Sequence, residues 1–432
     1  MPNSKFKLPI ILFAVMFTAA SCGLGGPQTP SQKAELTWWK VFSDSRDIEP
    51  LIKQFEDANP GVKIRYVEKD IAAYEDELVN ALAAGQGPDI FSIHNDWLPK
   101  HQDKMVAAPD KILGLRELRE KFASVLETDL TADGKIYALP VALDVMALYY
   151  NKDLLASAGL ARPPATWEEL VNLVPRLTKI SRLGNIEQSA IALGTLENVN
   201  RATDILSLLM LQNGTQIFSE DRRTNQMDKS IRDQTGKEIS PGLSALEFYT
   251  QFADPAKAAY TWNSRSNNSI DTFAAGRVAM ILSYAYLGQT LKEKAPFLNY
   301  AVAPVPQITS GSTKVNYANY WAEGVSKQSK YPDLSWQFLK TITGKGPLQS
   351  YTSATKQIAP RLDLLEEQIA DPQIGVFAEN AISAKSFYKP DSAAMEKIFA
   401  DMISEVTQRH VPIKDALHAG AQKADLLLKN KR

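Results

Sequence analysis

The chain is poor in the residues that build covalent or metal chemistry. It has 432 residues, one cysteine and four histidines. One cysteine excludes an intramolecular disulfide framework. His94, His101, His410 and His418 show no tight metal-ligand spacing, so no metal site and no cofactor are assigned. Charge of one sign is also missing: 48 basic residues stand against 49 acidic ones. No basic stripe breaks that balance, which argues against nucleic acid as a partner. No phosphate loop, Ser-His-Asp order or zinc motif is present. Only one long apolar run exists, Leu8 to Ala20, and it is short for a comfortable membrane span.

What surrounds that run is informative. Lys5 and Lys7 precede it, and Ala19, Ala20 and Ser21 lead from it to the single cysteine, Cys22. A basic start, an apolar stretch and a small-residue site make a secretory signal peptide over residues 1–21. A cysteine directly after the small residues resembles the bacterial lipoprotein box, with Ala19 where leucine is usual. Cys22 is therefore expected to carry lipid chains that anchor the exported protein to the outer face of a bacterial membrane, in the periplasm or at the cell surface. Residues 22–33 are rich in Gly, Pro, Gln, Ser and Thr and read as a flexible tether. Cysteine avoidance beyond that point suits an oxidising compartment.

The remaining ~400 residues are too many for one small core and call for two lobes. "ELTWWKVF" reads as a strand, "DIEPLIKQFEDANPG" as a helix stopped by Asn59-Pro60-Gly61, and "VKIRYVEKD" as a strand. "AAYEDELVNALAAGQG" and "PDIFSIHN" follow as a helix and a strand. This alternation predicts an α/β fold with a parallel sheet, whose ligand sits beyond the carboxyl ends of the strands. Asp133-Gly134 predicts a tight hairpin; Asp129 to Asp133 lack the acidic pattern of a calcium loop. Thr166 and Glu169 form a capping box before a helix. Residues 219–240 are very polar and read as an exposed loop or hairpin insertion whose charges form a solvated face.

Taken in order, "ELTWWKVF", "FEDANPGVKIRYVE", "ALAAGQGPDIFSIHNDW", "YALPVALDVMALYYNKDLLASAGL", "PPATWEEL", "FAAGRVAMILSYAY", "APVP" and "EGVSKQSKYPDLSWQFLKTIT" resemble the extracellular solute-binding proteins of ABC importers. The similarity is to the sugar-binding family that includes maltose-binding protein. It implies a two-lobed, type II periplasmic-binding-protein-like fold that closes like a hinged clam, with delivery of a solute to a membrane permease and no catalysis. It further implies crossings near Leu143 to Ala147, Tyr317 to Glu323 and Leu362. One lobe would then hold residues 34–143 and 322–362, the other 144–321 and 363–432.

A sugar site needs aromatic faces against pyranose CH groups, and carboxylates or amides against hydroxyls. The strand-end candidates are Trp39, Phe42, Ser43, Asn95, Asp96 and Trp97. Trp38 and Trp39 alternate, so only one of them can reach the cleft. Asp144 lies in an apolar stretch, where an unpaired carboxylate is costly, and the resemblance puts an acidic residue at the cleft floor there. The resemblance also places Tyr286 where the family commonly stacks a Trp, and Tyr320 and Trp321 where it usually has small glycines. The expected ligand is a mono- or oligosaccharide and the expected receptor a monomer. A non-sugar receptor for a glycerol phosphate, polyamine or peptide would use a cleft cation, with Lys40 the nearest. A carbohydrate-active enzyme would need two carboxylates set across the substrate, with Asp96 and Asp144 available.

Overall fold

The computed structural model describes residues 33–232, 235–309 and 313–429. Cys22 and the whole leader and tether up to residue 32 lie outside the described residues. Among the described residues no helix is long and apolar enough to cross a membrane.

Strand β1 (Ala34–Val41) buries Leu36 and Trp38 on alternate positions. Helix α1 (Ser45–Ala58) is capped by the Asp44 side chain, which accepts from the Arg46 amide. It buries Ile48, Leu51 and Phe55 on one stripe, and Gly61 at φ 95° turns the chain into β2 (Val62–Lys69). Helix α2 (Ile71–Ala83) buries Tyr74, Leu78 and Leu82 and leads to β3 (Ile90–His94). These strands form a parallel sheet in the order β2-β1-β3. The strand Trp321–Ser326 then joins β3 antiparallel, and Met105–Val106 and Ala138–Leu139 pair on its other side.

A second sheet runs Tyr300–Ala303, Ala147–Asn151, Val278–Ser283, Ile186–Ile191, Lys179–Ile180. Every residue of Val278–Ser283 is buried, as a central strand covered on both faces requires. The Thr166 hydroxyl accepts from the Glu169 amide, while the Glu169 carboxylate takes the Ala165 amide, one residue before the cap. Asp133 (φ 50°) and Gly134 (φ 72°) turn the hairpin between Thr131–Ala132 and Lys135–Ile136 as the dipeptide predicts.

Short backbone pairings gather where chain passes between the sheets. The Leu143 amide donates to the Ile358 carbonyl, Val145 bridges Ala318, and the strand Asn316–Tyr317 pairs with Ala384–Lys385. Helix Gly375–Ile382 lies against the second sheet through Phe377 and Tyr149. Helices Ser392–Thr407 and Ile413–Lys429 pack on each other at the end of the chain. The polar segment 219–240 is more than a solvated face. Its tip is a small hairpin of Ile231–Arg232 with Glu238–Ile239, but Asn225 and Met227 are buried. The Asn225 amide and Asp228 are tied to Asp425 and His418 of the last helix.

Candidate functional site

Both sheets end, at the carboxyl ends of their parallel strands, on one polar floor. On the first sheet, Phe42 follows β1 in the left-handed region at φ 57°. That conformation is strained for a bulky side chain, and it holds a ring 61% exposed. The ring meets Trp321 edge-on at 5.8 Å. Trp321 in turn touches Tyr74 (6.1 Å), Trp97 (5.1 Å) and His94 (5.3 Å), and Trp97 stacks on Tyr74. The result is an aromatic ledge built from β1, β3, α2 and the returning Trp321–Ser326 strand.

The second sheet supplies a different wall. Tyr284 and Tyr286 stack at 6.5 Å just past Val278–Ser283. The Arg201 guanidinium lies over both rings at 5.5 and 5.8 Å. The Tyr286 hydroxyl donates to Asn200 Oδ1 at 2.9 Å, and its ring stays 41% exposed. Arg201, like Phe42, has a positive φ, here 62°. Among the described residues no ring contact joins the two walls.

The floor is one hydrogen-bonded line. Asp204 Oδ2 accepts from the Tyr284 hydroxyl (2.9 Å) and from Asn319 Nδ2 (3.5 Å). That fixes the Asn319 amide, whose Oδ1 lies 3.0 Å from His94 Nε2. His94 Nδ1 faces Asp96 at 2.5 Å. Both ring nitrogens therefore meet acceptors, an arrangement that only an imidazolium satisfies fully. Burial works against that charge, but the Asp96 carboxylate outweighs it and raises the His94 pKa. Asp96 also receives Lys389 Nζ at 2.7 Å. Burial opposes its ionisation, yet the two cations hold its carboxyl well below the usual range. Asp96 is thus a fixed anion, unsuited to proton transfer. Asp144 is the opposite case. Its Oδ1 accepts from the Val145 and Ala285 amides, but burial dominates and pushes its pKa up to about 7.

Of the candidates read from the sequence, Phe42, Asp96, Trp97, Trp321, Asp144 and Tyr286 come together at these strand ends. The others are engaged elsewhere. Trp38 is fully buried, and Trp39 lies under the Lys69 ammonium (3.9 Å), which is itself bound to Glu77 of α2. Trp39 is therefore packing on the α2 side of the sheet. Ser43 is buried, with its hydroxyl 3.4 Å from that of Tyr351. Asn95 Nδ2 and the Tyr320 hydroxyl both donate to Asp129, a buried carboxylate on the far side of the crossing segment. Lys40 does not serve as a cleft cation, because it is buried in an ion pair with Glu323 at 2.6 Å.

His94, Asn319, Asp204, Arg201 and Lys389 were not singled out by sequence reasoning. His94 had a local signal, since it ends β3 beside Asn95 and Asp96. Lys389 and Asp204 had none, because their partners lie 293 and 115 residues away along the chain.

Known proteins share this fold. The chain is 24% identical over 372 residues to the maltodextrin-binding protein MdxE of Bacillus subtilis, covering 82% of this chain and 79% of that one. It is 24% identical over 366 residues to the galactooligosaccharide-binding protein of the same organism, covering 82% and 80%. The solved structure of the sugar-binding protein MalE from Xanthomonas citri superposes with a TM-score of 0.76 at 20% identity, over 92% of this chain and 98% of that one. Residues 42–347 match the family described as bacterial extracellular solute-binding protein, and the chain belongs to that family.

Proposed function

We propose that this protein is the receptor of an ABC-type importer and that a carbohydrate, a mono- or oligosaccharide, lies between its two walls. The observation that carries the reading is the pairing of an aromatic ledge (exposed Phe42 on half-buried Trp321) with a tyrosine–arginine wall (Tyr286, Arg201) over a floor of oriented polar groups. Aromatic faces suit the CH surface of a sugar ring, and fixed donors and acceptors suit its hydroxyls. The relatives named for maltodextrin and galactooligosaccharide binding support the same class. Residues 34–143 with 322–362 and residues 144–321 with 363–432 would act as the two closing bodies. Sugar touching both walls would favour the closed form by its differential affinity for it. That form would dock on permease subunits, with the chain held at the membrane by lipidated Cys22.

Calorimetric titration of residues 34–432 with maltodextrins and galacto-oligosaccharides tests the reading. Saturable binding that Trp321→Ala weakens is expected. Binding of a glycerol phosphate, polyamine or peptide in place of every sugar would discard the carbohydrate assignment and keep the receptor. Release of hydrolysed sugar would discard the receptor.

A further inference from the structure

The crossing segment 319–321 has two sides. Its extended backbone turns Asn319 and Trp321 toward His94, while Tyr320 between them points the other way and reaches Asp129 at 2.9 Å. On that rear side is a pocket of about 220 Å³. At ~30 Å³ per water this is room for about seven waters, enough for a small solute. Thr128, Asp129 and Gln102 of the first lobe line it together with Arg222 and Tyr388 of the second. None of the exposed groups of the aromatic ledge is part of it.

Charge in this pocket is unbalanced. Asp96 at its edge is matched by both His94 and Lys389. Asp129 is enclosed by three donors, from Asn95, Tyr320 and Ser386. Burial raises its pKa to about 6, so it stays mainly ionised at neutral pH, held by neutral donors, and the three cations His94, Lys389 and Arg222 face two carboxylates. Arg222 has no such match. It stands on the insertion at φ 56°, its guanidinium 4.4 Å over the Tyr388 ring, and the ring is held on another side by Phe218. Among the described residues no carboxylate is within ion-pair distance of Arg222. A guanidinium packed against an aromatic ring leaves its planar fork of N–H donors available for a planar or tetrahedral oxyanion. Gln102 and Thr128 add neutral hydrogen-bonding groups opposite it.

We propose that the pocket behind the hinge is a second ligand site, for a small solute carrying one carboxylate or phosphate, anchored by Arg222 on the Tyr388 ring. It lies behind the crossing segment and shares Asp96 and Lys389 with the floor of the proposed sugar site, while Arg222 and Tyr388 belong to it alone. Because both lobes line it, its occupant senses their relative position, and anion and sugar must then affect each other's affinity reciprocally.

The test is calorimetric titration of the protein at low ionic strength with inorganic phosphate and, separately, with gluconate, using chloride as the control anion. Saturable binding of either probe is expected. Arg222→Ala should weaken it about tenfold or more while leaving sugar binding and melting temperature intact, since Arg222 is exposed. Trp321→Ala, which disturbs the cleft, should leave anion binding unchanged. Phosphate binding alone would identify a phosphate site, and gluconate binding alone a carboxylate site. The proposal is overturned if neither probe binds, if Arg222→Ala binds as well as the parent, or if Trp321→Ala abolishes the anion heat. None of these results depends on whether a sugar binds the cleft.

Discussion

The two lobes hold their halves of the site by opposite means. In the first, a charge is buried. Glu323 is wholly inaccessible and receives Lys40 Nζ (2.6 Å), Trp38 Nε1 (2.8 Å) and Ser92 Oγ (2.9 Å). This knot ties the returning strand to β1 and β3, two residues from Trp321 and two from Phe42. In the second lobe the corresponding knot is neutral. Asn198 Oδ1 accepts from Trp262 Nε1 (2.9 Å) and from Thr195, and its Nδ2 donates to the Asn263 and Ser266 carbonyls. It fixes the loop carrying Asn200 and Arg201. Each knot is saturated, so each specifies one geometry. They differ in what failure costs. A broken amide knot leaves unpaired dipoles, whereas a broken ion pair leaves a charge in the core.

That difference can be broken deliberately. Glu323→Ala strands Lys40 without a counter-ion and should cost about 3–5 kcal/mol in denaturant unfolding. Replacing both partners, Lys40→Met with Glu323→Leu, should recover most of it. A single variant no worse than the pair would show that Lys40 finds water or another partner. Asn198→Ala is expected to cost less, about 1–3 kcal/mol, and to weaken sugar binding by freeing Arg201. If affinity holds while stability falls, the loop is positioned from elsewhere.

The walls themselves should differ in the same sense. Trp321→Ala removes the centre of the ledge and is expected to cost sugar about 2 kcal/mol in affinity, against about 1 for Tyr286→Ala. Equal losses would make the walls equivalent. The smallest effect is in pH. A carboxyl held protonated up to about 7 at Asp144, against ~3.9 when unfolded, makes the folded state bind more protons between those values. Stability therefore falls as pH rises from ~4 to ~7. Asp144→Asn keeps an oxygen for the Val145 and Ala285 amides. Its melting temperature should decline less over that range, and an unchanged slope would show Asp144 to be ionised throughout.

Periodicity and turn chemistry carried much of the fold. The β1-α1-β2-α2-β3 run and the Asp133-Gly134 hairpin rest on neighbours a few residues apart. The site was legible only where exposure was local. Phe42, Trp97 and Tyr286 sit beside strand ends. Asn95 and Asp96 are adjacent and equally polar, yet Asn95 turns inward to Asp129 and Asp96 meets His94 and Lys389. Nothing nearby in sequence distinguishes them, because their partners belong to other parts of the chain. Lys40 misled for the same reason, since Glu323 is 283 residues away.

That separation has a temporal side. The strand Trp321–Ser326 lies between β3 and Met105–Val106, inside the first sheet rather than at its edge. A ribosome delivers it only after the whole of the second sheet. Until then β3 has an open flank and Lys40 lacks its counter-ion, so the earlier half of the polypeptide waits, incomplete, for its latest strand. The first lobe to begin translation therefore cannot close before the second sheet has been made, and the second lobe in its turn awaits the helices beyond residue 362.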